Sequence, residues 1–206
     1  MGKQNNNLLF NAIAPVYGLF YNRQKKRYRE VLNCVAAQLD LTSNNSILDV
    51  GCGTGSLCSV LNERGLSVTG IDHAQNMLSI ARRQPENKNI LFLKANALEQ
   101  LPFANNSFDL SIASYVAHGM QKSERIKLYS EMRRVTKSKV IIYDYNQKRS
   151  LMTSLVEWLE QGDYFQFIKN PKIEMESCVS EMANCFSEVK VIEVDTRASW
   201  YVCTPS

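Results

Sequence analysis

The chain has 206 residues, 45% of them hydrophobic and 21% charged, which suits one globular domain with a substantial core and excludes a disordered polypeptide. Its 24 basic against 20 acidic residues leave a net charge of +4, gathered in local clusters such as RQKKRYR at 23–29. A bias this mild reads as a solvated helix face, so no nucleic-acid partner is expected. Six cysteines without a C-x-x-C pair, beside two histidines, argue against a structural zinc site and for reduced thiols. The start MGKQNNNLLF lacks a signal-peptide core, and no uncharged span is long enough to cross a bilayer. A cytoplasmic protein, monomeric or homodimeric, is expected.

In chain order, Phe10, Ile13, Tyr17, Phe20 and Tyr21 recur at helical spacing. Short β-branched runs then follow at 46–50 (SILDV), 67–71 (SVTGI), 90–94 (ILFLK), 108–113 (FDLSIA) and 139–144 (KVIIYD). Between them, 56–65, 75–84 and 123–135 carry apolar residues at helix spacing, with Gly65 as a helix stop and Ser123 as an N-cap. Strands alternating with helices predict βαβ units: a doubly wound, Rossmann-like α/β fold with a mostly parallel sheet and helices on both faces. Two helical stretches, 151–161 and 174–186, precede strand-like runs at 188–194 and 198–204 separated by three residues. So short a connection makes a hairpin, and the seventh and last strand is expected to run antiparallel to its neighbour.

The most informative stretch is ILDVGCGTGSL at 47–57, with glycines at 51, 53 and 55 closing an apolar strand. Glycine accepts backbone angles that other residues resist and lets a ligand approach the main chain. A dinucleotide turn wants G-x-G-x-x-G, but the third position is Ser56; a P-loop wants Gly-Lys-Ser/Thr, which does not follow. What stands here is G-x-G-x-G preceded by Asp49. It suits a cofactor without phosphate that carries an ammonium group, a ribose and an adenine. Asp49 helps fix the amino-acid end, directly or through the loop. The second strand ends at Asp72, where a carboxylate can accept hydrogen bonds from both ribose hydroxyls. Its bland alternative is an acid at a helix N-terminus.

With FNAIAPVY at 10–17, KANALEQLPFANNSFDL at 94–110, IASYVAHGM at 112–120 and EMRRVTKSKVIIYDY at 131–145, the chain resembles a class I S-adenosylmethionine-dependent methyltransferase. The resemblance is to the small-molecule group that includes the ubiquinone and menaquinone biosynthesis enzymes, and it covers roughly residues 8–145. It implies S-adenosylmethionine as cofactor and S-adenosylhomocysteine as product. It also implies cofactor contacts from Tyr17, Asp49, Gly51, Cys52, Gly53, Thr54, Gly55, Asp72, His73, Met77, Asn96, Ala97, Leu98 and Ser114. Asn96 stands where relatives usually have Asp, and its carbonyl can still accept from the adenine amino group. Met77 packs on the adenine or in the core. Gly18 replaces a common Asp, and Ser138 and Lys139 replace a common Pro-Gly-Gly.

The resemblance divides the single domain into a helical lid region at 1–40, a cofactor core at 41–146, a helical insertion at 147–187 and a hairpin at 188–206. Trp158, Tyr164 and Phe165 of the insertion build one wall of an acceptor pocket. His118, after the fourth strand, is the candidate catalytic base, or a helix-cap histidine. No metal is expected. The leading function is methyl transfer to a small-molecule acceptor. A nucleic-acid or protein methyltransferase is the alternative, disfavoured by the lack of an Asn-Pro-Pro-Tyr-like motif. A non-catalytic cofactor-binding protein is the third reading.

Overall fold

The computed structural model describes residues 2–41, 46–146, 171–196 and 198–206. Seven strands form one sheet: β1 (Ser46–Val50), β2 (Ser67–Asp72), β3 (Leu91–Lys94), β4 (Phe108–Ser114), β5 (Thr136–Tyr145), β6 (Glu188–Glu193) and β7 (Ala198–Thr204). Their order is β3-β2-β1-β4-β5-β7-β6. All neighbours pair in parallel except β7, which runs antiparallel to both β5 and β6. The six described helices are α1 (Gly2–Leu19), α2 (Tyr21–Val35), α3 (Ser56–Glu63), α4 (Gln75–Arg83), α5 (Lys122–Val135) and α6 (Pro171–Cys185).

The side-chain alternation of the strands sorts two cores. On one face Ile47, Ile112, Ile141, Tyr143, Trp200 and Val202 pack with Leu32 of α2, Leu61 of α3 and Leu78 of α4. On the other, Leu48, Val50, Ala113, Ile142 and Tyr201 pack with Leu128 and Met132 of α5 and Met182 of α6. Successive residues such as Ile141 and Ile142 thus serve opposite faces, as a period of two requires when helices cover both sides. The doubly wound reading of the sequence holds. Chain order reverses between β1 and β4, which opens a crevice at their carboxyl ends.

Among the boundaries that differ from the sequence expectation, two have a visible cause. The N-cap of α5 is Gln121, not Ser123: Gln121 and Glu124 form a reciprocal capping box, with Glu124 Oε2 accepting from the Gln121 amide at 3.1 Å. Strand β5 begins at Thr136, because Thr136 pairs with Phe108 across a β-bulge before the regular register starts at Leu110. The predicted helix at 151–161 and the wall of Trp158, Tyr164 and Phe165 lie outside the described residues.

The N-terminal region divides in two. Val31, Leu32 and Val35 of α2 are buried in the main core. Helix α1 instead rests on α4 through a separate small cluster: Ala14, Ala74 and Met77 are buried, with Phe10, Ile13, Tyr17 and Ile80 around them. Asn11 pins this contact, its Oδ1 accepting from the Asn76 amide at 2.8 Å and its carbonyl from Asn76 Nδ2 at 2.9 Å.

Candidate functional site

The turn after β1 is built from glycines in the left-handed region, with φ of 72° at Gly51, 53° at Gly53 and 76° at Gly55. Amides of Gly51 and Cys52 both donate to the Ile71 carbonyl, at 2.8 and 2.9 Å, which ties the turn to β2. A Cβ on Gly51 would stand 2.6 Å from Val116, and one on Gly55 would stand 2.9 Å from Phe92. Gly53 is different: no heavy atom of the described residues lies within 4 Å of where its Cβ would be. Its bare backbone faces open space, as a ligand cradle requires.

Asp72, at the end of β2, holds that backbone in place. Its Oδ2 accepts from the Gly53 amide at 2.9 Å and its Oδ1 from the Ala74 amide at 2.8 Å. Burial raises its pKa while these amides, and His73 beside it, pull the other way. The carboxylate is thus both anchor of the turn and helix-terminal acid. His73 lies 3.7 Å from Asp72 Oδ1 and meets the Phe10 ring edge-on at 5.7 Å.

Asp49 lies beneath the turn, 1% exposed. Its Oδ2 accepts from the Cys58 thiol at 3.0 Å, while Oδ1 has no hydrogen-bond partner among the described residues. Burial pushes its pKa up to about 7. Cys52 is buried as well, which pushes its thiol up to about 11. Helix α2 latches the turn from the other side: Gln24 Oε1 accepts from Thr54 Oγ1 at 3.3 Å and Ser56 Oγ at 3.2 Å.

Past β3, Asn96 closes a small turn, its Oδ1 accepting from the Leu98 amide at 3.1 Å and its Nδ2 donating to Glu99 at 2.8 Å. Ala97 and Leu98 are half-buried against the second core. Met77 is buried in the cluster under α1, and Tyr17 is half-buried against the same cluster.

The carboxyl ends of β4 and β5 carry the remaining groups. Ser114 Oγ lies 2.8 Å from the Tyr28 hydroxyl of α2. His118 Nδ1 lies 2.8 Å from Asp144 Oδ1, and Asp144 also accepts from the amides of Ala117 (3.0 Å), His118 (3.1 Å) and Tyr145 (2.9 Å). Tyr145 meets the His118 ring edge-on at 4.9 Å. Tyr115 holds a left-handed φ of 57°, unusual for a bulky residue, fixed by its amide on the Tyr143 carbonyl at 2.8 Å and its hydroxyl on that of Tyr143 at 3.1 Å.

The expected residues therefore form two groups around the β1/β4 crevice. The glycine turn, Asp72, His73, Met77 and Tyr17 lie on the β2 side; Ser114 and His118 lie on the β4/β5 side. Sequence reasoning missed Asp144, Gln24, Tyr28 and Tyr115. Asp144 had a usable signal, an acid at the end of a buried strand beside the one carrying the histidine's loop. Gln24 and Tyr28 had none, since polar residues at helix spacing are ordinary.

Residues 47–139 match the family model described as a methyltransferase domain. A demethylmenaquinone methyltransferase of Thermus thermophilus is 40% identical over 108 residues, spanning 49% of this chain and 48% of that protein. A malonyl-[acyl-carrier protein] O-methyltransferase of Buchnera aphidicola is 37% identical over 105 residues, spanning 51% and 40%. The chain spans about half the length of the curated relatives it matches. Among solved structures, a putative S-adenosyl-L-methionine-dependent methyltransferase of Methanococcus maripaludis superposes with a TM-score of 0.70 at 16% identity, covering 95% of this chain and 93% of that one. Human N-acetylserotonin methyltransferase in complex with S-adenosylmethionine gives 0.68 at 17% identity, covering 96% and 59%. Residues 47–139 are thus similar to a methyltransferase domain, and the chain has the fold of these solved methyltransferases.

Proposed function

We propose that the protein transfers a methyl group from S-adenosylmethionine to a small-molecule acceptor and releases S-adenosylhomocysteine. The observation that carries this is the open backbone of Gly53, held by the Asp72 carboxylate at the carboxyl edge of the β1/β4 crevice. When bound, the cofactor supplies an electrophilic methyl on sulfur; the protein aligns it and excludes water.

In this reading Gly51, Cys52, Gly53, Thr54 and Gly55 form the cradle, with Asp49 acting through the loop because its side chain is buried. Asp72 takes the ribose diol with its remaining lone pairs. Asn96, Ala97 and Leu98 meet the adenine, beside Met77 and His73. Tyr17 approaches the amino-acid end, Ser114 lines the β4 side, and His118 is the candidate base. Helix α1 is the lid; the buried α2 is its fixed support. A cytoplasmic monomer or homodimer is consistent with free cysteines. Among the described residues no helix is long and apolar enough to cross a membrane, and no cluster could hold a metal ion.

Calorimetry with S-adenosylhomocysteine and with NAD tests the cofactor. Binding of the first and not the second is expected, and the reverse sinks the reading. Labelled methyl transfer to metabolite extract, RNA and protein then tests the acceptor class. Transfer confined to RNA or protein favours the macromolecular alternative, and tight binding without turnover favours a non-catalytic protein.

A further inference from the structure

Asp144 is 3% exposed, and its two oxygens meet four nitrogens: Oδ1 meets His118 Nδ1 and the Tyr145 amide, Oδ2 the amides of Ala117 and His118. Three of these are backbone N–H groups and can only donate. A carboxylate has about four lone-pair sites, so these contacts engage the whole group and leave it no room to turn. The fourth contact must then also be a donor, which puts the ring proton on Nδ1 and makes Nε2 the basic nitrogen of neutral His118. This constrains a ring whose side chain is 12% exposed and which lies at the carboxyl edge of the crevice, between β4 and β5. A second observation points to the same place. The Tyr129 hydroxyl, on α5, is buried without a hydrogen-bond partner among the described residues, and it lines a crevice with His118, Asp144 and Cys178. Buried hydroxyls are ordinarily satisfied, and one left so in a water-sized cavity beside a histidine and a carboxylate marks a spot where a water belongs.

We propose that Asp144 is the positioning residue that makes His118 Nε2 a general base, and that the acceptor is therefore protic, reacting through an atom whose proton must leave. The inference rests on the methyl-transfer reading. In the step it implies, written for a hydroxyl acceptor, the hydroxyl gives its proton to Nε2 while the oxygen lone pair forms the new O–C bond. The pair of the broken C–S bond stays on sulfur, and the imidazolium, opposite the Asp144 carboxylate, later returns its proton to water. Thioethers and tertiary amines, which attack without losing a proton, would have no use for this pair. Other titratable groups face the ring: Tyr115 and Tyr145 from the strand ends, Tyr129 from α5 and Cys178 from α6. Among the described residues, Asp144 supplies a carboxylate in hydrogen-bond contact with it.

Proton–nitrogen correlation spectra of the two histidine side chains, titrated with pH, test this without any acceptor. His73→Gln leaves His118 as the remaining ring and assigns it. The expected result is a neutral His118 with its proton on Nδ1, and a titration midpoint at least one pH unit higher than in Asp144→Asn, a tenfold difference in proton affinity. A neutral ring protonated on Nε2 overturns the proposal. So does an unchanged midpoint in a folded Asp144→Asn protein; if that variant fails to fold, the tautomer of the unsubstituted ring still decides. Calorimetry with S-adenosylhomocysteine separates the two readings: it should be unaffected by Asp144→Asn. Loss of binding in the unsubstituted protein would strike the methyl-transfer reading instead. In the labelled-methyl assay on metabolite extract, products carrying the new methyl on an atom that has lost a proton, such as a former hydroxyl, support the proposal. Methyl found on a thioether or tertiary amine, or no transfer by a protein that binds the cofactor product, refutes it.

Discussion

Replacing Asp49 by Asn should stabilise the protein more at alkaline than at acid pH. Burial pushes the Asp49 carboxyl from an ordinary value of 3.8 up to about 7, against the opposing pull of the Cys58 thiol. The folded state therefore holds a proton on Asp49 at pH values where the unfolded chain has lost it. The associated stability is present below pH 4, falls as pH rises, and is gone above pH 7. A rise of this size corresponds to about 4 kcal/mol at full ionisation, of which about 2 kcal/mol is lost between pH 5.5 and 8.5. Asparagine keeps the shape and an oxygen to accept from Cys58 but carries no charge at any pH. Its extra N–H groups cost the same at both pH values and cancel in the comparison. Thermal unfolding followed by circular dichroism should show the melting temperature of Asp49→Asn gaining on that of the native chain by about 4–8 °C between pH 5.5 and 8.5. A gap that stays constant, or narrows, would refute the claim that an ionisable carboxyl is held out of water beneath the glycine turn.

Further outcomes follow from the same site and its supports. Gly53→Val should fold, because its Cβ meets no neighbour among the described residues, though its left-handed backbone costs about 1–2 kcal/mol. It should no longer bind S-adenosylhomocysteine in a calorimeter, and retained binding would show that the cradle lies elsewhere. Asp72→Ala leaves the Gly53 and Ala74 amides without their acceptor and should weaken the same ligand roughly ten- to a hundredfold; unchanged affinity in a folded variant would place the ribose on another residue. Arg125→Leu strands the buried Glu181 carboxylate, now held at 2.6 and 2.8 Å, and should cost about 3–5 kcal/mol in chemical denaturation. Arg125→Leu with Glu181→Leu should cost less than either alone; an additive loss would mean that the pair is not coupled. Hydrogen exchange should show residues 8–21 protected by S-adenosylhomocysteine, and equal protection with and without it would make α1 a fixed part of the core.

The sequence by itself determined the sheet, its helices and the place of the glycine turn, because each is a local statement. A period of two in VIIY at 140–143 puts Ile141 and Ile142 on opposite faces whatever the neighbours are, and three glycines in five residues announce a backbone no side chain permits. The hairpin was equally local, since three residues cannot carry a parallel crossover. It took the tertiary structure to show which glycine of the turn faces open space. Gly51 and Gly55 are confined by Val116 and by Phe92, residues far along the chain, and only Gly53 is open. The roles of the acids were decided the same way. Asp49 and Asp72 both end strands at the same crevice, yet one is sealed beneath the turn and the other anchors it, a difference made by what packs around each. Asp144 is the clearest case: 26 residues separate it from His118, and their 2.8 Å contact exists only because β4 and β5 are adjacent in the sheet. Periodicity reports which way a side chain faces along its own element. Its partner, and therefore its charge and its chemistry, is set by strands that meet only when the chain folds.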